Sequence, residues 1–358
     1  MSLAVTVLKN SAVLLLFLLF ISCGTKNKEY ANNVFPYSQF PQEKELKGEV
    51  IELDTALFRY PFRIRIEGDK AIVLDLHGSD YYGHLFQYPS FRYLSSFGRR
   101  GDSPLEMLSM ENFRLHNHTL WTLDANKSEL TRLDFSSSGD SLLREETVAL
   151  DEDILRPLDF AIYNDTTFVI PDYSGESRFL KVDCKGKLIE KIGTIPTTNK
   201  KALQEARPAL AQAWRSFLDY NSHNSVLATV TQLGEVVEIY NLKDSTHVIR
   251  VGEYDEPEFK VSDGYGMPTG IMGFSDVQVT DDAIYAVFHG TSFKDIARQS
   301  GRLSDGGKYI YVFSLKGEPL CKYVLDHYIY GIWVDEATKT IIATDVNDDQ
   351  PIVMFSIK

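Results

Sequence analysis

The stretch Thr119 to Phe135, TLWTLDANKSELTRLDF, reads as two short strands joined by a polar turn, and it recurs along the chain. Aligned on the residue that closes the first strand, the copies are AIVLDLHGSDYYGHLFQY with Asp75, the Thr119 stretch with Asp124, and TTFVIPDYSGESRFLKVD with Asp172. They continue with VLATVTQLGEVVEIYNL and Thr231, AIYAVFHGTS and His289, and TIIATDVNDDQPIVMFSI and Asp345. Successive markers lie 49, 48, 59, 58 and 56 positions apart, against roughly 40 to 50 residues for a propeller blade. Repetition of this kind adds blades around one axis rather than adding cores, so length does not set the domain count. The expected fold is all-β: a six-bladed β-propeller of four-stranded antiparallel blades. A β-sandwich or a pair of smaller β-domains is the alternative.

Three insertions account for the longer spacings. Asn199 to Tyr220 is rich in Ala, Leu and Arg at helical spacing, broken by Pro208, and predicts a short helical insertion between blades 3 and 4. Gly252 to Gly273 is a Gly, Pro and acid-rich connector, and Thr291 to Gly307 splits the middle of repeat five. Repeat six supplies only three strands before the chain ends, which would leave an open sheet edge. Gly48 to Leu53 alternates like a strand and stands alone ahead of repeat one, so it is expected to close the ring.

Lys9 precedes an apolar run from Ser11 to Ile21, too short to span a bilayer comfortably and fitting the core of a secretion signal. Phe20-Ile21-Ser22-Cys23 resembles the lipobox of bacterial lipoproteins, which implies lipidation of Cys23 as the first mature residue. Residues 1–22 are then a signal peptide, 23–46 a polar tether with two prolines, and 47–358 the propeller. Loss of Lys9 takes the formal net charge from -13 to -14, which repels phosphate backbones, and no basic cluster or nucleic-acid motif is present. Nucleic acid is excluded as an expected partner, and the membrane is contacted through the lipid alone. Cys184 and Cys321 lie in non-neighbouring repeats and are expected to be free, buried thiols. GTKNKE after Cys23 lacks the acidic cluster linked to surface export in Bacteroidetes lipoproteins, so the expected address is the outer membrane, facing the periplasm.

The strand ends of VIPDYSGESRFLKVD and IIATDVNDDQPIVMFSI, each followed by a polar turn, resemble those of NHL-repeat and TolB-like propellers. The connector Phe97 to Met107, FGRRGDSPLEM, resembles the FGxxGxGPGEF segment of six-bladed TolB-like lipoproteins of Bacteroidetes. Phe97, Gly98, Gly101, Pro104 and Glu106 match that pattern, whereas Asp102, Ser103 and Leu105 depart from it. The resemblance spans most of residues 48–358 and implies fold and location, not an activity. Arg100 to Ser103 also spells RGDS, a coincidence within that connector.

The repeated Asp75, Asp124, Asp172 and Asp345 suit an Asx-turn at a strand end better than a metal site or catalysis. No nucleophile elbow, zincin motif or P-loop occurs, and no cofactor or metal is expected. In propellers, the loops between blades share a face with the loops between second and third strands, and all three insertions fall on that face. The candidate ligand-binding residues there are Arg99, Arg100, Trp214, Arg215, Tyr265, Met267, His289, Lys294, Arg298 and Arg302. Six of the ten are Lys or Arg in an acidic protein, which suits an anionic or carbohydrate ligand. The alternative is a lid packed on itself around Trp214. The expected function is a monomeric, lipid-anchored envelope propeller that binds a partner protein or small ligand without catalysis. A glycan- or peptide-processing hydrolase or lyase with its site in the channel is the competing reading.

Overall fold

The computed structural model describes residues 32–54, 58–298 and 304–358. Cys23 and the expected signal segment lie outside the described residues. Asn33–Lys358 forms one compact unit. Six antiparallel sheets follow one another along the chain, each starting with its innermost strand. The six first strands are Pro61–Glu67, Met110–His116, Ala161–Asn164, Ser216–Asn221, Phe274–Val279 and Ile332–Asp335. They pack side by side in a closed ring around a central channel. Every repeat of the sequence is therefore one blade, as the recurring strand-turn-strand copies and their spacing predicted.

The channel is filled by side chains of these first strands and their approaches. Arg65 forks onto Asp276, with both N–H···O distances 3.1 Å, and also donates to the Ile332 carbonyl. Arg63 stands 3.3 Å from Asp276 through Nε, with its guanidinium 4.0 and 4.5 Å from the ring centroids of Phe62 and Phe217. Arg114 reaches Asp159 at 2.7 Å, and Asp159 also accepts from the Leu218 N–H. Burial opposes ionisation of Asp276, but the two arginines outweigh it and hold its carboxyl below the usual range. Burial lowers Arg63 to about 10.

Two expectations about the chain ends and insertions need correction. The stretch expected as a tether up to residue 46 contains two strands: Val34–Pro36 pairs in parallel with the outer strand of blade 4, and Gln42–Leu46 with that of blade 5. Gly48–Ile51 then pairs antiparallel with Ile352–Ser356 and completes blade 6, as predicted. The N-terminal segment is thus a strap that covers three outer edges in succession, because unpaired edge N–H and C=O groups are satisfied best by another strand. The helical insertion is shorter than Asn199 to Tyr220. Helix α1 (Lys200–Glu205), capped by the Asn199 side chain, and α2 (Arg207–Ala213), with Pro208 in its first turn, give way to strand at Ser216. The blade 4–5 connector carries a hairpin, Phe259–Ser262 with Tyr265–Pro268, and the split in blade 5 carries helix α3, Phe293–Arg298.

The repeated aspartates act as turn-builders. Asp124 accepts from the backbone of Asn126 and Lys127 beyond it and of Leu108 and Ser109 before the blade. Asp75 does the same with Arg59, Tyr60 and His77, while Asp172 and Asp345 accept from the turn beyond them alone. Cys184 and Cys321 are free, but only Cys321 is buried. Among the described residues, no group of His, Cys, Asp and Glu could hold a metal ion, and no helix is long and apolar enough to cross a membrane.

Candidate functional site

Two recesses open on the loop face. The first is a cleft of about 550 Å³ above blades 3 to 5. Leu155 and Leu158 of the blade 2–3 connector, Pro208 of α2, Leu233, Met272 and Phe293 supply its apolar walls. The hairpin closes one side through Gly266 and Pro268. A Cβ at Gly266 would lie 2.3 Å from the Ala209 carbonyl oxygen, so glycine is what lets the hairpin lie against α2. Polar groups are few and convergent: Arg156, Gln212, Arg215, Gln232 and the Tyr173 hydroxyl. Arg215 Nε is buried without a hydrogen-bond partner among the described residues, and the buried Tyr173 hydroxyl, which the Ser216 N–H approaches, has no acceptor there for its own proton. Burial pushes the Tyr173 hydroxyl up to about 12, so it carries its proton and can donate. Arg215 also approaches Glu111 at 3.5 Å.

The second recess is a groove of about 630 Å³ between the strap and the rim of blades 4 and 5. Tyr37 and Phe40 of the strap pack edge-on, 5.6 Å apart, and both face Phe313. The Tyr37 hydroxyl donates to Glu235 at 2.8 Å, and the Tyr254 N–H donates to the other oxygen at 3.1 Å. Burial nevertheless raises the Glu235 carboxyl above its usual range. Tyr254, 48% exposed, tilts over Phe288, which stacks on Tyr311 at 4.8 Å. Lys322 bonds Glu43 at 3.0 Å and stands over the Tyr309 ring, while Lys308 stands over Tyr328. His289 is buried, with Nε2 lacking a partner among the described residues, and burial lowers it to about 4 despite Asp305 nearby.

The residues singled out from sequence fall into different settings. Arg215 lines the cleft and His289 the groove. Trp214 is 1% exposed and packs with Leu210, Val236 and Ile249, so it is the core under the insertion rather than a contact surface. Tyr265 and Met267 are exposed, alternating with the Gly266 and Pro268 that line the cleft. Arg99 is exposed beside Glu106 at 3.6 Å. Arg100 lies 3.8 Å over the Tyr82 ring and donates to the Leu76 carbonyl, which ties the RGDS stretch to blade 1. Lys294 and Arg298 are exposed on α3, and Arg302 lies outside the described residues. Sequence reasoning missed Tyr173, Arg156 and Phe293 of the cleft and the Tyr37, Glu235 and Tyr254 set of the groove. The aromatic cluster VFPYSQF, out of place in a polar tether, was the readable signal for the strap.

Among curated proteins, none matches the chain in sequence. Solved structures do match in fold. An exported protein from Bacteroides fragilis is 11% identical with a TM-score of 0.56, over 90% of this chain and 98% of that one. A DUF4221 family member from Bacteroides vulgatus is 10% identical with a TM-score of 0.53, over 87% and 95%. An auxiliary nutrient binding protein from Bacteroides ovatus is 10% identical with a TM-score of 0.52, over 84% and 70%. At such identities the likeness is one of fold. The model of the family described as TolB-like 6-blade propeller-like matches residues 39–337, and the chain belongs to that family.

Proposed function

We propose that the protein is a lipid-anchored envelope propeller that binds, without catalysis, a ligand or partner group through the cleft above blades 3 to 5. The observation that carries this is the pair of buried, unpartnered donors, Tyr173 Oη and Arg215 Nε, set in an apolar recess. A buried donor without a partner costs about 1–3 kcal/mol, a cost recovered when an acceptor arrives. Apolar walls with a few convergent polar groups are the usual make-up of a ligand site. The matching chemistry is an apolar body ending in an anion, on a small molecule or on a partner's side chain. The description of one fold neighbour as exported and another as nutrient-binding accords with this role, and the lipobox-like Phe20 to Cys23 supplies the anchor.

Octanoate, titrated against the protein by calorimetry, should saturate one site. Arg215→Ala and Tyr173→Phe should each weaken it by roughly tenfold or more, as expected for charge-assisted hydrogen bonds. Absence of saturation, or saturation that ignores both variants, would sink the cleft as the site. Separately, Cys23→Ser should move the protein from the membrane to the soluble fraction; retention there would disprove the anchor.

A further inference from the structure

The groove beside the strap has a lining whose charges select against most ligand classes. A cation finds two of the aromatic faces taken, because Lys322 and Lys308 stand over Tyr309 and Tyr328, at 4.7 and 4.8 Å from the ring centroids, and finds Glu43 already paired with Lys322. An anion would meet Glu43, Glu235 and Glu253. A wholly apolar ligand would leave the buried His289 Nε2 unpaired. What remains is a neutral ring with one C–H face and a periphery of hydroxyls, each able to donate and accept.

The lining offers a complement to each of those parts. The Tyr254 ring is half exposed and is backed by Phe288, so it presents a rigid aromatic face at little entropic cost. Glu253, exposed at the rim, accepts from hydroxyls, Lys308 donates to them, and His289 Nε2 does either according to its tautomer. The volume of about 630 Å³ lies within the usual range for small-ligand sites. We infer that the groove between the strap and blades 4 and 5 binds a short neutral oligosaccharide, stacked on Tyr254 and hydrogen-bonded by Glu253, Lys308 and His289. This is a second site and does not depend on the cleft above blades 3 to 5.

The test is calorimetric titration of the chain from Gly24 onward, which contains the whole compact unit, with maltohexaose, cellohexaose, mannohexaose and xylohexaose. Tetramethylammonium chloride and octanoate serve as cationic and anionic controls. At least one hexaose should saturate the protein. Tyr254→Ala and Glu253→Gln should each weaken that binding by roughly tenfold or more, and Glu253→Gln, at an exposed side chain, should leave the thermal midpoint unchanged. Lys308→Ala is a third variant with the same expectation. Arg215→Ala should leave hexaose binding intact while weakening that of octanoate by roughly tenfold or more, which separates the two sites. No saturation by any hexaose overturns the inference, as does saturation that survives Tyr254→Ala and Glu253→Gln, or competition of the hexaose by tetramethylammonium.

Discussion

The channel and the loop face are both rich in charged groups, yet they use them differently. In the channel, Arg63, Arg65 and Arg114 face Asp276 and Asp159 within 3.3 Å, so charge is matched by charge inside the ring, while Arg63 Nε and Nη2 and Arg114 Nε make no hydrogen bond among the described residues. On the loop face, Arg215, Tyr173 and His289 keep buried polar atoms that no described residue satisfies. Opposite charges paired across the ring hold blades together, whereas the unpartnered atoms of the loop face line open recesses that something from outside can enter. What separates the two regions is access to a recess, not residue type, since an arginine with an unpartnered Nε occurs in both places.

The sharpest way to break this contrast is to remove the hub of the channel. Asp276→Ala leaves Arg63 and Arg65 buried without their shared counter-charge and should cost about 3–5 kcal/mol, measured by urea unfolding. A loss below 1 kcal/mol would mean that the channel charges are solvated and not matched to one another. Next in size is the pH response of His289. Its folded value of about 4 lies below the unfolded value of 6.5, so the unfolded chain binds the proton more readily. The corresponding stability is present in full above pH 6.5 and is lost as pH falls toward 4, about 3 kcal/mol in all. His289→Gln should flatten the unfolding free energy across that window; an unchanged slope would place the acid sensitivity elsewhere. Smallest is the effect on stability of Arg215→Ala, which should stay within about 0.5 kcal/mol while binding collapses. A large loss of stability there would assign Arg215 to structure, like the arginines of the channel.

The blades were legible because two short strands joined by a polar turn recur at a regular spacing, and in four of the six repeats an Asp caps that turn, so local and global signals agree. The strap was not. In Gln42–Leu46 only Leu46 is buried, so an outer-edge strand of this kind carries no alternation, and QEKEL looks like solvent-exposed linker. Pairing with blade 5 is decided by the edge it covers, not by its own sequence. The loop-face site was legible as a place but not as a set of residues. Arg215 and His289 were found because they stand in or beside insertions, whereas Tyr173 and Glu235 sit in short, ordinary loops between second and third strands and gain their setting only from neighbouring blades. Arg63 and Arg65 of the channel went unread, although they stand in the unusual pattern FRIRIE, and nothing local identifies Asp276 as their partner.

The strap also gives the molecule a mechanical order. Tension applied to the chain ahead of Asn33 meets the short pairing of Val34–Pro36 with blade 4 first, then Gln42–Leu46 on blade 5, and only then Gly48–Ile51, the strand that closes the ring. A modest pull would therefore peel away Tyr37 and Phe40, and with them one wall of the groove, while the sixth blade stays closed. Load and occupancy would then report on each other at a single seam, far from the channel that keeps the ring intact.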